Sequence, residues 1–180
     1  MNQGFILEVS FDVQQISQRL RWNFRLQKQT VPPGTGANTG QLAFECGDTI
    51  ALAVTGNSHN SLLASLSITQ CHLVTRPLIN SMHAHLGLAG DYPAPSPFTE
   101  SAAVADFIGT SGPGEASGTA TSMCWTPAIE LDCINPGRWE MSLILTAHIT
   151  LTSDAGEYTA HRVFSFDPEC EVGTGIGVAL

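Results

Sequence analysis

The chain has 180 residues, a formal net charge of −9 and charged side chains at only 13% of its positions. Its length is typical of one domain. Its one lysine, Lys28, and six scattered arginines do not form the cation cluster that a phosphate backbone needs. No run of about 18 apolar residues is present, which is the length that a membrane-spanning helix requires. We therefore expect no nucleic-acid partner and no membrane span.

The cellular compartment is predicted from the N-terminus and the cysteines. Residues 1–8 contain no basic segment, no long apolar run and no cleavage site, so they do not resemble a signal peptide. Five widely spaced cysteines stand at Cys46, Cys71, Cys124, Cys133 and Cys170. An odd number of cysteines without an export signal favours reduced thiols, and we expect a cytoplasmic protein.

The first half of the chain is predicted to form short strands. Residues 5–13 alternate apolar and polar side chains, and residues 20–26 do the same. A period of two is typical of a half-buried strand. Residues 31–40 are a loop by composition, because proline, glycine and asparagine interrupt any pattern. Further short strands are predicted at 42–46, 49–54 and 66–74.

A long irregular insertion at about 77–118 separates the early strands from the late ones. It is rich in proline and glycine and has little periodicity, as is typical of binding loops and mobile connections. One short helix is predicted within it at 99–108, with Thr99 or Ser101 as the N-cap. Strands are predicted again at 119–125, 128–133, 138–151 and 157–172.

The last two predicted strands form the clearest pair in the chain. A tight turn joins them, and pairing Ser153 with Gly156 matches apolar residues with apolar ones and places His148 opposite His161. A shift of one residue would mix the two faces. Arg162 interrupts the apolar face, so its side chain must extend to the surface or find a carboxylate.

These patterns together predict the fold class. Eight or nine short strands separated by turns, with at most one short helix, favour a single all-β domain over residues 1–180. The expected architecture is a mostly antiparallel, two-sheet β-sandwich of the jelly-roll kind.

Trp125 and the early arginines are candidates for binding a sugar. Trp125 is expected at an exposed sheet edge, where an aromatic ring can stack on a sugar. Arg19, Arg21 and Arg25 line one face of a predicted strand, and guanidinium groups match the carboxylate of a sugar acid. The alternative for the arginines is cross-strand pairing with acidic residues such as Glu8, which contributes little at a surface.

Two pairs of histidines are candidates for a metal or a pH sensor. His148 and His161, directly opposite each other, lie about 5 Å apart at Cβ in such a hairpin, and two imidazoles there can chelate a metal or respond to pH. More often such a pair is a neutral part of a polar sheet face. His83 and His85 place two imidazoles on one face of an extended segment. A catalytic metal wants about three protein ligands, so the fold would have to supply another.

Short motifs in two regions resemble those of a known family. They are Gly40-Gln41-Leu42 leading to Gly47-Asp48-Thr49-Ile50, a later Trp125, the amphipathic hairpin from Trp139, and the terminal Phe166-Asp167-Pro168-Glu169-Cys170-Glu171-Val172. Together they resemble the bacterial inclusion-body proteins of the PixA/AidA type, which are small cytoplasmic β-sandwich proteins of similar length. One departure is Phe166, where that family tends to carry tryptophan. The resemblance implies a non-enzymatic protein that stores, assembles or binds carbohydrate, and it identifies no binding residue.

No complete catalytic motif is present, which leads to the functional prediction. We expect a non-enzymatic binding or assembly protein, lectin-like, with a glycan or small molecule as its ligand and no cofactor. Self-association into a homo-oligomer is expected from the low charge density and the unpaired sheet edges. Two alternatives stay open: a metal-dependent jelly-roll enzyme that uses a cluster including His83 and His85, and a purely structural protein.

Overall fold

The computed structural model describes residues 3–27, 41–59, 63–78, 94–112, 115–117, 120–153, 156–167 and 169–173. Within these residues the chain forms β-strands and no helix, and the strands assemble into two sheets. The prediction of an all-β chain is therefore confirmed. No helix that could cross a bilayer is found among the described residues.

Thirteen strands are formed by the described residues. In chain order they are β1 (Gly4–Asp12), β2 (Arg21–Leu26), β3 (Gln41–Glu45), β4 (Thr49–Ser58), β5 (Leu63–Pro77), β6 (Val104–Asp106), β7 (Gly109–Ser111), β8 (Glu115–Ser117), β9 (Ala120–Pro127), β10 (Leu131–Asp132), β11 (Gly137–Ser153), β12 (Gly156–Phe166) and β13 (Glu169–Gly173). The predicted loop at 31–40 lies outside the described residues.

Each sheet mixes local and distant pairings. The first sheet has the order β2-β1-β4-β9-β7, with β10 paired to β4 and β8 paired to β9. The second has the order β3-β13-β11-β5-β6, with β12 paired to β11. Most described pairs are antiparallel, as predicted, but β1 runs parallel to β4 and β13 runs parallel to β3. Parallel neighbours need a crossover connection rather than a hairpin.

The hairpin of β11 and β12 has the predicted register. Ser153 pairs with Gly156, and His148 pairs with His161. The final strand predicted at 157–172 is instead two strands, because β12 ends at Phe166 and β13 begins at Glu169. The sequence has a proline between them, and proline has no backbone N–H to donate to a ladder.

The helix predicted at 99–108 is wrong. The Thr99 hydroxyl accepts a hydrogen bond from the Ala102 N–H at 3.2 Å, as an N-cap would, but it closes a turn. The chain then forms β6 against β5. Phe98, just before the predicted helix, and Phe107, directly after β6, are both buried in the core. Pairing with β5 and the anchoring of these two rings therefore override the local capping signal.

Both sheets bury side chains in one hydrophobic core. Phe11 of β1 and Phe164 of β12 meet there with stacked rings. Trp139 of β11 is fully buried, and its indole Nε1 donates a hydrogen bond to the Ala94 carbonyl at 3.0 Å. This hydrogen bond joins the described part of the predicted insertion to β11 of the second sheet.

Candidate functional site

A polar groove lies where β1 and β4 end and where β2 and β9 begin. It has a volume of about 200 Å³. We call it the Asp12 groove, and the polar residues that define it are Asp12, Arg21, Asn57, Ser58, His59 and Ser122. Four strands of the first sheet therefore supply its side chains.

The pairing of the strands brings these residues together. The parallel pairing of β1 with β4 sets Asp12 beside Asn57, and the pairing of β4 with β9 sets Asn57 beside Ser122. The pairing of β1 with β2 sets Ser10 beside Arg21. Side chains of directly paired residues project from the same face of a sheet. One row of polar side chains consequently crosses three strands.

The alternation along β4 decides which of its residues face the outer side of the sheet. Burial alternates along the strand, with Ile50, Leu52 and Val54 in the core. The intervening positions face outward, and of these Asn57 lines the groove.

Asp12 is held in place from two sides. Its Oδ2 lies 3.1 Å from His59 Nε2, and its Oδ1 accepts a hydrogen bond from the Gln14 backbone N–H at 2.8 Å. Both partners come from the chain segments that follow β1 and β4. The carboxylate is thus a pre-oriented hydrogen-bond acceptor at the end of the groove.

Arg21 contributes a cation to the groove that no described acidic side chain neutralises. Its neighbour on the same face of β2, Arg25, pairs with Glu8 at 2.6 Å, as the cross-strand alternative predicted. The two arginines therefore differ: Arg25 has its counter-ion within the fold, and the Arg21 guanidinium can bind a carboxylate or a hydroxyl from a ligand.

Ser58 is the most unusual member of the groove. The residue is only 1% exposed, and its Oγ makes no hydrogen bond to any group that the structure describes. An unpaired buried hydroxyl costs about 1–3 kcal/mol. Burial alternates along β4, so Ser58 faces inward and Asn57 outward, and the Ser58 hydroxyl is not part of the polar row on the outer face.

Ser58, His59 and Asp12 include the residue types of a catalytic triad, but not its connections. A serine nucleophile is activated by a hydrogen bond to its histidine, which a carboxylate in turn orients. His59 Nε2 lies 3.1 Å from Asp12 Oδ2, whereas Ser58 Oγ has no described partner and so does not donate to His59. The arrangement suits binding rather than acyl transfer.

Arg19 and Arg21, predicted to share one face of a strand, lie in different places. Arg19 precedes β2, where its backbone forms a bridge with Ser165 of β12. It lines a separate groove of about 260 Å³ together with Trp22 and Asp167. Only Arg21, of these two, belongs to the Asp12 groove.

Trp125 is not exposed, which corrects the prediction for it. The side chain is 2% exposed, because β9 is flanked by β4 on one side and β7 on the other and the indole faces the core. Trp22 is the half-buried tryptophan that borders a groove, and its ring stacks on Phe166 with centroids 5.7 Å apart. The sequence concealed this, because Trp22 alternates in phase with core residues of β2.

His148 and His161 lie opposite each other, but their geometry does not favour chelation. The two rings are stacked, with centroids 4.5 Å apart and planes 9° from parallel. The nitrogen lone pairs lie in the ring planes, so nearly parallel rings direct them side by side rather than toward one ion. His83 and His85 lie outside the described residues. Among those that are described, no group of three metal-ligating side chains is found.

Another groove, of about 520 Å³, crosses the outer face of the second sheet. Its charged residues include Arg76 and Glu140, which form an ion pair with each other. Because these charges are already matched, this groove offers a ligand less than the Asp12 groove does.

Sequence reasoning missed Asn57, Ser58 and His59. The alternation of β4 continues through Ser58, so following the period further would have placed Ser58 inside and Asn57 outside. The parallel pairing that brings Asp12 to Asn57 leaves no local pattern. Comparison of the chain with protein-family models, curated proteins and solved structures finds no match. The resemblance to the PixA/AidA-type proteins stays a prediction.

Proposed function

We propose that this chain is a non-enzymatic carbohydrate-binding protein whose ligand occupies the Asp12 groove. The observation that carries the proposal is the unneutralised guanidinium of Arg21 in a groove that Asp12 and Asn57 also line. A guanidinium without a counter-ion in the fold can bind the carboxylate of a ligand. A polyhydroxylated ligand also uses the surrounding donors and acceptors.

The groove matches the chemistry of a sugar ring. Sugar hydroxyls both donate and accept hydrogen bonds, Asp12 is an acceptor, Arg21 is a donor, and the Asn57 amide is both. Its volume of about 200 Å³ is below the roughly 300–1,000 Å³ of pockets for drug-sized ligands. One sugar unit at a chain end fits better than a dinucleotide or another large cofactor, and Arg21 favours a sugar acid.

We further propose that the two sheets pack face to face as a β-sandwich in the cytoplasm. The stacking of Phe11 on Phe164 between the sheets supports the sandwich. The parallel pair of β1 and β4 departs from the antiparallel ladders of a jelly roll. All five cysteines are free thiols, two of them exposed, which supports a reducing compartment.

The test is titration with monosaccharides, followed by the backbone amide signals in NMR. Neutral hexoses and hexuronates are compared, and we expect hexuronates to shift the amides of Asn57 and Ser122 at millimolar concentrations. Arg21→Gln removes the available cation and should weaken hexuronate binding about tenfold, because a charged hydrogen bond is lost. Arg25→Gln is the matched control on the same strand face.

Either of two results would overturn the proposal. One is the absence of shifts at the groove with every sugar tested. The other is equal weakening by Arg21→Gln and Arg25→Gln, which would indicate general electrostatic attraction rather than a site at Arg21.

A further inference from the structure

One edge of β12 is unpaired for most of its length among the described residues. β12 pairs with β11 on one side, and no described strand pairs with the other side. Near its C-terminal end the segment 18–20 covers that edge: the Ser165 N–H donates to the Gln18 carbonyl at 3.0 Å, and the Leu20 N–H donates to the Ser165 carbonyl at 3.1 Å. The open stretch therefore begins at Glu157 and ends before this contact.

Ser165 identifies the residues whose backbone groups face outward. In an antiparallel strand, the N–H and C=O of alternate residues point to the same side. Because both groups of Ser165 point away from β11, those of Val163, His161, Thr159 and Glu157 do so too. The open edge thus presents four donor and acceptor pairs.

Apart from the inward-facing Arg162, the edge lacks the features that usually prevent pairing with another chain. Protected edges are short, or carry proline, lysine or a bulge. β12 has 11 residues with neither proline nor lysine, and its register with β11 is unbroken. Tyr158 and Val163 are 65% and 47% exposed along it. Such an edge is suited to the addition of a further strand.

We propose that the open edge of β12 pairs with β12 of a second copy of this chain. The two strands run antiparallel about a two-fold axis at Thr159, and the two second sheets become one continuous sheet. This arrangement places Glu157 of one copy opposite His161 of the other, twice. A carboxylate thus faces an imidazole that can donate a hydrogen bond to it or carry a positive charge.

The charge pattern selects this register over its neighbours. Moving the axis by one residue toward the C-terminus sets Glu157 opposite Val163 and approaches the segment 18–20 that covers Ser165. Moving the axis by one residue in the other direction sets Glu157 opposite Thr159. Half-residue shifts would place outer-face side chains opposite core-facing ones. The axis at Thr159 alone matches the acidic residue with the basic one.

The inference is independent of the Asp12 groove, which lies in the other sheet and needs no second copy. A homodimer of this kind has an isologous interface, closed by its own symmetry. It would present two copies of the groove, so a surface with many sugars would be bound more tightly than a single sugar. A failure of sugar binding leaves the dimer unaffected, and the reverse also holds.

Sedimentation velocity over a range of protein concentrations tests the dimer. We expect a reversible monomer–dimer equilibrium for the full chain. Thr159→Pro removes an N–H that faces away from β11, so it should leave the hairpin folded and abolish the dimer. Circular dichroism confirms that the variant is folded. A wild-type chain that stays monomeric up to millimolar concentration, or a dimer that folded Thr159→Pro retains, would overturn the proposal.

An exchange of the charged pair tests the register. Glu157→His and His161→Glu each place like residues opposite each other, and each should raise the dimer dissociation constant roughly three- to tenfold. The double exchange restores a carboxylate opposite an imidazole, and it should return the constant to the wild-type value within about threefold. Additive weakening in the double variant would show that the two positions do not meet.

Discussion

The rings of Phe11 and Phe164 stack with their centroids 4.2 Å apart, and this contact joins β1 of the first sheet to β12 of the second. Both side chains are almost fully buried. Phe164→Ala should therefore lower the free energy of unfolding by about 3–5 kcal/mol, because it leaves a cavity between the sheets. Urea denaturation measures the loss. Val163→Ala, one residue away on the exposed face, is the control and should cost less than about 1 kcal/mol; similar losses for both would place Phe164 outside the core.

Gly137 and Gly156 both have a positive φ but differ in their surroundings. Gly137 has a φ of 147°, and a Cβ there would lie 2.8 Å from the Trp139 ring. Gly156 has a φ of 118° and open space around the added atom. Gly156→Ala should cost about 1–2 kcal/mol through backbone strain alone, and Gly137→Ala about 3 kcal/mol through strain and overpacking. Thermal unfolding compares them, and equal losses would argue against the contact with Trp139.

Arg162 binds backbone carbonyls, and not the carboxylate that was one of the two alternatives predicted for it. Its guanidinium lies 4.9 Å from the Phe164 ring centroid and donates to the carbonyls of Val13 and Ile16 rather than to a carboxylate. Arg162→Met keeps most of the packing and removes the donors. We expect a loss of about 1 kcal/mol and faster amide hydrogen exchange in residues 14–20. Arg76→Met, at an exposed ion pair, is the control and should leave that exchange unchanged; protection that persists in Arg162→Met would contradict the assigned role.

The sequence predicted best where partners are close along the chain. The pairing of His148 with His161 followed from one turn and the alternation on either side of it. The proximity of Asp12 to Asn57 could not be predicted in this way. It depends on the parallel pairing of β1 with β4, two strands that are not joined by a hairpin. Trp125 was misplaced for a related reason: whether a strand is central or at an edge is decided by distant strands, and periodicity within the strand carries no information about it.

The buried thiols predict how stability depends on pH. Burial raises the pKa of Cys71 and Cys170 to about 12, and burial together with the nearby Asp48 charge raises the pKa of Cys133 still further. An unfolded thiol ionises near pH 8.5. Above about pH 9 the unfolded chain therefore releases protons that the folded chain keeps, and the free energy of unfolding falls as pH rises, by about 1.4 kcal/mol per pH unit for each thiol. Below about pH 7 these thiols are protonated in both states and contribute no slope. Cys133→Ala should remove one thiol's share of the slope between pH 9 and 10.5, measured by urea denaturation at each pH. Cys124→Ala, at an exposed thiol, is the matched control and should retain the wild-type slope, so parallel curves for Cys133→Ala and the wild type would contradict the burial of Cys133.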